Sequence, residues 1–260
     1  MFTQVNARLT IPETVCPPKG AAMRPVWYFT MAAGLCLAGT TTADAGAWLR
    51  EDGTGVVYLS YEAMEDRDYG STWGYSTLFG EYGLSPHLTV GIDAGRGDGP
   101  DDWKAKVFLR RGQELERLNG RYALQLGIGI SGAPGGLRET LLRPAISWGN
   151  SFETGLGWAW VNVDAAGEYR LTQGTAAATA GYGVEATYKL DMALGLTTGA
   201  RTQIMAELRS EFPPGEGRTL RAVPSVSRRV SGRVWLQLGG IVGLDGDDTA
   251  GLLVGSRIEF

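Results

Sequence analysis

His87 is the one histidine in the sequence, and so the one side chain whose ordinary pKa lies near neutrality. Ser85 stands two positions before it, across Pro86. A nucleophile and its base must meet within hydrogen-bond reach, with a third group to orient the base. Neighbours at i and i+2 of a Ser-Pro-His turn do not form such a pair by themselves. A single histidine also excludes a multi-histidine zinc site. Two acidic stretches, Asp98-Gly99-Pro100-Asp101-Asp102 and Asp245-Gly246-Asp247-Asp248, offer oxygen ligands of the kind Ca²⁺ takes. Neither has the EF-hand spacing, and Gly beside Asp is ordinary turn chemistry. No catalytic residue, metal site or cofactor site is assigned.

The remaining chemistry lies in charged residues placed one apart from apolar ones. Leu88, Val90, Ile92 and Ala94 alternate with Thr89, Gly91, Asp93 and Gly95. Trp103, Ala105, Val107 and Leu109 alternate with Lys104, Lys106, Phe108 and Arg110. Tyr122, Leu124, Leu126, Ile128 and Ile130 alternate with Ala123, Gln125, Gly127, Gly129 and Ser131. Period two is the period of a β-strand. The polar face carries Lys, Arg, Asp, Glu, Gln and Gly. The apolar face is aliphatic in mid-strand and often aromatic near strand ends, as at Tyr61, Trp103, Tyr122, Trp148, Tyr169 and Phe260. That distribution predicts an all-β fold: an antiparallel up-and-down transmembrane β-barrel with lipid outside and a polar interior.

Turns divide the chain into about twelve strands, an even number as a bacterial barrel with both ends on one side requires. They are expected near 54–64, 73–84, 87–96, 102–111, 121–131, 140–149, 156–170, 183–197, 203–212, 219–229, 233–244 and 250–260. Short connections then alternate with long polar ones. The stretch 112–120 is the exception, long where a short turn is wanted; a helical turn or longer flanking strands would account for it. Pro144 and Pro224 fall within strands, and in a barrel without free edges each implies a bulge or a lost ladder bond. They leave ten or fourteen strands open.

Under this register the inner face carries Glu62, Glu81, Asp93, Lys104, Lys106, Arg110, Arg143, Asp164, Glu168 and Arg170. It continues with Glu185, Lys189, Asp191, Glu207, Arg209, Arg221, Arg229, Arg233, Arg257 and Glu259. Charges of both signs on an inner wall either line a narrow wet pore and set its selectivity, or pair across the interior and fill it. Trp158 and Trp160, inward by the same alternation, would narrow a pore or stack on an apolar solute.

The N-terminal part reads differently. Arg24, the apolar run Val26 to Ala38, and Ala43-Asp44-Ala45 form the positive region, apolar region and small-residue site of an export signal, with cleavage after Ala45. Ala43 and Ala45 are the residues signal peptidase reads. Residues 1–22 are an N-terminal extension that such a signal does not need, and Met23 is a candidate start. Both cysteines, Cys16 and Cys36, precede the cleavage point, so the mature chain has none. A chain crossing an oxidising compartment unfolded then has no thiol to mispair. The net charge of −4, with signs mixed along the chain, gives no electrostatic footprint for nucleic acid.

The signal ending Ala43-Asp44-Ala45, the Cys-free remainder, the strand-by-strand alternation and the final strand GLLVGSRIEF together resemble the small outer-membrane β-barrels of proteobacteria. The hairpin EYGLSPHLTVGIDAG, Glu81 to Gly95, also resembles the strand–turn–strand unit of the outer-membrane transporters linked to phenol-degradation pathways. The resemblance implies export by the Sec route and recognition of the terminal Phe260 by the barrel-assembly machinery. It also implies contact with outer-membrane lipid and lipopolysaccharide, and a channel or transporter role for small solutes. Non-conducting structural barrels and lipid-modifying enzymes share the architecture. Those enzymes depend on a catalytic histidine, and His87 falls in a turn on the side away from the cell surface.

Overall fold

The computed structural model describes residues 46–115, 120–133, 136–173, 182–215 and 217–260. The expected signal peptide, with Arg24, Ala43, Ala45 and both cysteines, lies outside the described residues. So do positions 174–181 of the connection expected at 171–182.

The 12 strands are β1 (Gly55–Asp66), β2 (Thr72–Ser85), β3 (Leu88–Gly97), β4 (Trp103–Leu115), β5 (Gly120–Ala133) and β6 (Leu137–Thr154), followed by β7 (Gly157–Gln173), β8 (Tyr182–Thr198), β9 (Thr202–Phe212), β10 (Thr219–Ser231), β11 (Val234–Asp245) and β12 (Thr249–Glu259). Each pairs antiparallel with its sequence neighbours, and β1 pairs with β12 to close the ring. The seam is finished by Gly55 and Phe260, which exchange backbone hydrogen bonds of 2.8 and 2.9 Å.

The alternation decides which side faces in. On β4, Lys106, Phe108 and Arg110 are buried, while Val107 and Leu109 between them are exposed on the outer face. On β5, Leu124, Leu126, Ile128 and Ile130 all lie exposed outside. Buried residues elsewhere include Glu81, Thr89, Ser147, Asn162, Glu168 and Gln203. A water-soluble sandwich buries its apolar face. This ring buries its polar face and exposes an aliphatic one, the inversion that a hydrocarbon surround demands.

Several boundaries depart from the sequence reading. β4 runs on to Leu115 and β5 begins at Gly120, so most of 112–120 is ladder: Gly112 faces Ala123, and Glu114 faces Arg121 in a 2.7 Å ion pair. β6 runs past its expected end at 149 through Asn150 and Ser151, because Val161 and Trp160 pair with them. Arg233 is a correction. It sits exposed in the tight turn between β10 and β11, outside both strands, and does not line the interior. Pro144 and Pro224 each keep one neighbour, Leu126 and Ala206, and interrupt the ladder on the other side. Pairing between β6 and β7 skips from Leu142 to Ala145, and between β10 and β11 from Ala222 to Ser225.

Residues 46–54 form no strand of the ring. Asp52 bridges Gly83 at the foot of β2, the Arg50 amide donates to Oγ1 of Thr89 at 3.0 Å, and the Ala47 amide donates to Oδ1 of Asn162 on β7 at 3.1 Å. β7 stands six positions from β1 either way round the ring. The segment is therefore a strap that crosses the interior from one wall to the opposite one. It does so at the end where the tight turns β2–β3, β6–β7 and β8–β9 lie.

A candidate channel lumen

The strap builds the first layer. Trp48 is buried and meets Trp160 edge to face, with centroids 6.2 Å apart at 70°; Ala193 and Met205 pack on the pair. Gly149 allows this, because a Cβ there would strike the Trp48 ring. The Trp160 ring thus meets an indole of its own chain. A cavity of about 240 Å³ remains beside the strap, lined by Trp48, Glu114, Arg121, Asn150 and Ser151 among others. Arg50 of the strap pairs with Glu81 through Nε and Oε2 at 2.8 Å. The other oxygen of Glu81 accepts from Arg110, which also donates to Gln125 at 2.8 and 3.0 Å. One carboxylate thereby ties strap, β2 and β4 together.

Deeper in, ion pairs cross between walls. Lys106 of β4 reaches Asp93 at 2.9 Å and Glu168 of β7 at 3.4 Å, and Arg170 approaches Glu168 at 3.4 Å. Arg209 of β9 reaches Glu62 of β1 at 2.7 Å and Glu207 at 2.9 Å. Lys189 pairs with Glu211 at 2.6 Å. Back at the strap's end of the ring, Glu259 meets Arg257 at 3.2 Å and Arg229 at 3.9 Å, and both guanidinium groups lie over the Trp235 ring, at 4.4 and 4.6 Å from its centroid. Asp164 accepts from Ser147 and Asn162, and Asp191 from the Ser210 amide at 3.3 Å. Among the described residues, Lys104, Arg143 and Glu185 make no ion pair.

Part of the wall is apolar. Met64, Val223, Ile241 and Leu253 form a buried cluster on β1 and β10–β12, with Trp73 and Tyr75 against it. Phe79 stacks on Phe108 at 5.6 Å. The sequence reading named charged residues and two tryptophans for the inner face and did not anticipate this apolar cluster.

The loops at the far end hold the acidic stretches. Asp247 accepts from the Thr249 amide at 2.8 Å and from Arg221. Burial would raise its pKa, but the Thr249 hydroxyl and amide and the Arg221 guanidinium outweigh burial and hold it below the usual carboxylate range. Asp248, hydrogen-bonded to Asp68 and of like charge, pushes the Asp68 carboxyl up. Asp245 pairs with Arg218, and Asp98 accepts the Gly74 amide at 2.5 Å. At the other end, Ser85 Oγ accepts from the backbone amide of His87 at 3.4 Å, a turn contact in which the imidazole takes no part.

No family model matches the sequence, and no curated relative matches it. Solved structures do match. The KdgM porin, crystallised with disordered oligogalacturonate, superimposes with TM-score 0.54 over 79% of this chain and 99% of its own, at 11% identity. The chain has the fold of an outer-membrane porin. The NanC porin gives 0.54 over 78% and 98% at 6% identity. An outer-membrane channel from Pseudomonas putida F1 gives 0.55 over 85% and 100% at 12% identity. These neighbours are porins and channels rather than enzymes. The porin fold is shared here with almost no sequence, as expected where alternation and closure carry the architecture and individual side chains do not.

Proposed function

We propose that this protein is a narrow passive channel for small solutes in the bacterial outer membrane, exported with a signal cleaved after Ala45. The carrying observation is a closed ring whose outer face is aliphatic while its inner face holds a mixed-sign set of charges, Arg143 and Lys104 among them without ion-pair partners. Unpaired cations on an inner wall are hydrated, and they select ions by charge. The likeness to porins, one of them bound to an acidic oligosaccharide, supports passage of hydrophilic solutes. Here most lumen cations are matched by carboxylates, which favours small solutes over a long polyanion. On this reading Phe260 serves as the signal for barrel assembly, and the outer face meets membrane lipid and lipopolysaccharide.

The test is conductance of the purified protein in a planar bilayer. Discrete steps are expected, with Arg143→Ala shifting the reversal potential toward cations. Intact protein that inserts but never conducts would overturn the reading. A second reading, a non-conducting structural barrel, is favoured by one observation: the strap and the bridges Lys106–Glu168 and Glu62–Arg209 span the lumen. Conductance of the intact protein separates the two, since a barrel filled by its strap and bridges carries no current until the strap is removed.

A further inference from the structure

Asp164 stands on the inner face of β7 directly opposite Asp191 on β8. Like charges opposite one another in a ladder repel. Asp164 has its oxygens in hydrogen bonds from Ser147 and Asn162, and Asp191 accepts the Ser210 amide. Among the described residues, no Lys or Arg forms an ion pair with either. Arg209 of β9 faces Asp191 on its other side, whereas Asp164 has Ser147 of β6 there, so the half-buried Asp164 faces no cation across either of its ladders.

A group able to supply one to Asp164 lies on the strap. A Cβ on Gly46 would collide with the Asp164 carboxylate and would lie 2.8 Å from Oγ of Ser147. The α-nitrogen is bonded to the same Cα, about 1.46 Å away. The next residue is fixed in place, its amide donating to Asn162 at 3.1 Å in a buried contact. While residue 45 is attached, the Gly46 nitrogen is a neutral amide with one hydrogen.

We propose that processing creates the missing cation. Hydrolysis of the Ala45–Gly46 amide consumes one water, leaves the carboxylate on Ala45, and frees the Gly46 amine. That amine takes up a proton and pairs, as an α-ammonium, with Asp164. The strap is then fastened at its far end by a group that exists only in the processed chain. Glycine at 46 leaves the carboxylate its place, since a Cβ there would meet the Asp164 and Ser147 side chains and force them to shift. The inference rests on the cleavage position proposed above and is independent of whether the lumen conducts.

The experiment uses the full protein isolated from membranes. Amines are acetylated at neutral pH in the folded state and in urea, and the tryptic peptide Gly46–Arg50 (GAWLR) is followed by mass spectrometry. Pairing predicts that Gly46 reacts at least about tenfold more slowly in the folded protein than in urea, the effect of one pKa unit on the free-amine fraction. Asp164→Asn, with folding verified by heat-modifiable gel mobility, should restore most of that reactivity, and Asp164→Glu should retain part of the protection. Equal reactivity of Gly46 in folded wild type and folded Asp164→Asn would overturn the pairing, because burial alone would protect both. A mature N-terminus other than Gly46 would overturn the premise instead, and the same peptide map reads it directly.

Discussion

Replacing Lys106 with methionine tests whether the lumen is dry enough for its ion pairs to hold the barrel together. The Lys106 side chain is 4% exposed and that of Glu168 is 1% exposed, so removing the amine leaves Glu168 buried with Arg170 at 3.4 Å as its remaining ion-pair partner. Breaking a buried pair from one side typically costs about 3–5 kcal/mol. Arg170 is 40% exposed and offers partial compensation, which places the expectation at the lower end, about 3 kcal/mol. That corresponds to roughly a hundredfold change in the ratio of folded to unfolded protein. Asp93 is 26% exposed and can be hydrated, so it adds little. The double variant Lys106→Met/Glu168→Gln removes the stranded charge and keeps a hydrogen-bond acceptor for Arg170. Its cost should fall to about 1 kcal/mol, the worth of one ordinary hydrogen bond. Reversible urea unfolding in lipid vesicles, followed by tryptophan fluorescence, measures both. With urea slopes of roughly 1–3 kcal/mol/M, the single variant should lower the midpoint by about 1–3 M and the double variant by much less. A single-variant cost below about 1 kcal/mol would refute the reasoning, since Glu168 would then be solvated through an open lumen.

The outer face should respond in the opposite sense to the inner one. Leu126→Arg, at mid-strand on the lipid side, should cost about 2–4 kcal/mol in the same unfolding assay, while Gln125→Lys beside it should cost far less. Trp48→Ala should loosen the strap, read as higher single-channel conductance and faster proteolysis after Arg50; unchanged conductance would mean that the strap does not limit the pore. Asp247 supplies a pH dependence with a defined sign. Its folded-state pKa lies below the ordinary 3.8, so its bonds to Thr249 and Arg221 contribute stability above about that pH and lose it as pH falls through the folded value. Protection of the Thr249 amide, its exchange taken relative to the intrinsic rate at each pH, should therefore fall on acidification, and Asp247→Asn should abolish that step.

The residues that announce the fold do so locally. Tyr122 to Ser131 reads as a strand because the alternation within ten residues needs no partner to be visible. The register with which β1 closes on β12 is not visible in this way, since alternation and an even strand count predict a closed ring but Val56 and Glu259 come from opposite ends of the barrel sequence and no short-range pattern encodes that pairing. The same limit governs the lumen. Alternation assigns Glu62 and Arg209 to the inner face but not to the same depth, and their 2.7 Å contact depends on register accumulated over four ladders. The strap was the least legible part. Ala47, Trp48 and Arg50 lie between the expected export signal and the first strand and repeat with no period. Their places are fixed by partners far away in sequence, Asn162, Thr89 and Glu81, and by the fit of Trp48 over Gly149. At 112–120 the ladder decides for longer flanking strands over a helical turn, and Asn150-Ser151, just beyond the strand end expected at 149, are held extended by Val161 and Trp160.

A ring of strands has a kinetic consequence that an open sheet lacks. Any strand leaving an open sheet from its edge breaks one ladder, whereas every strand of a closed ring is held by two, and none can fray first. Release of the first strand therefore has to give up both of its ladders before any chain entropy is regained, which raises the barrier to unfolding more than it raises equilibrium stability. The ring is not uniform, however. The interruptions opposite Pro144 and Pro224 leave the β6–β7 and β10–β11 ladders short of bonds, on strands well separated around the circumference. Unfolding should begin by parting at one of these two lines, so the half-life of the folded barrel is governed by two prolines exposed on it.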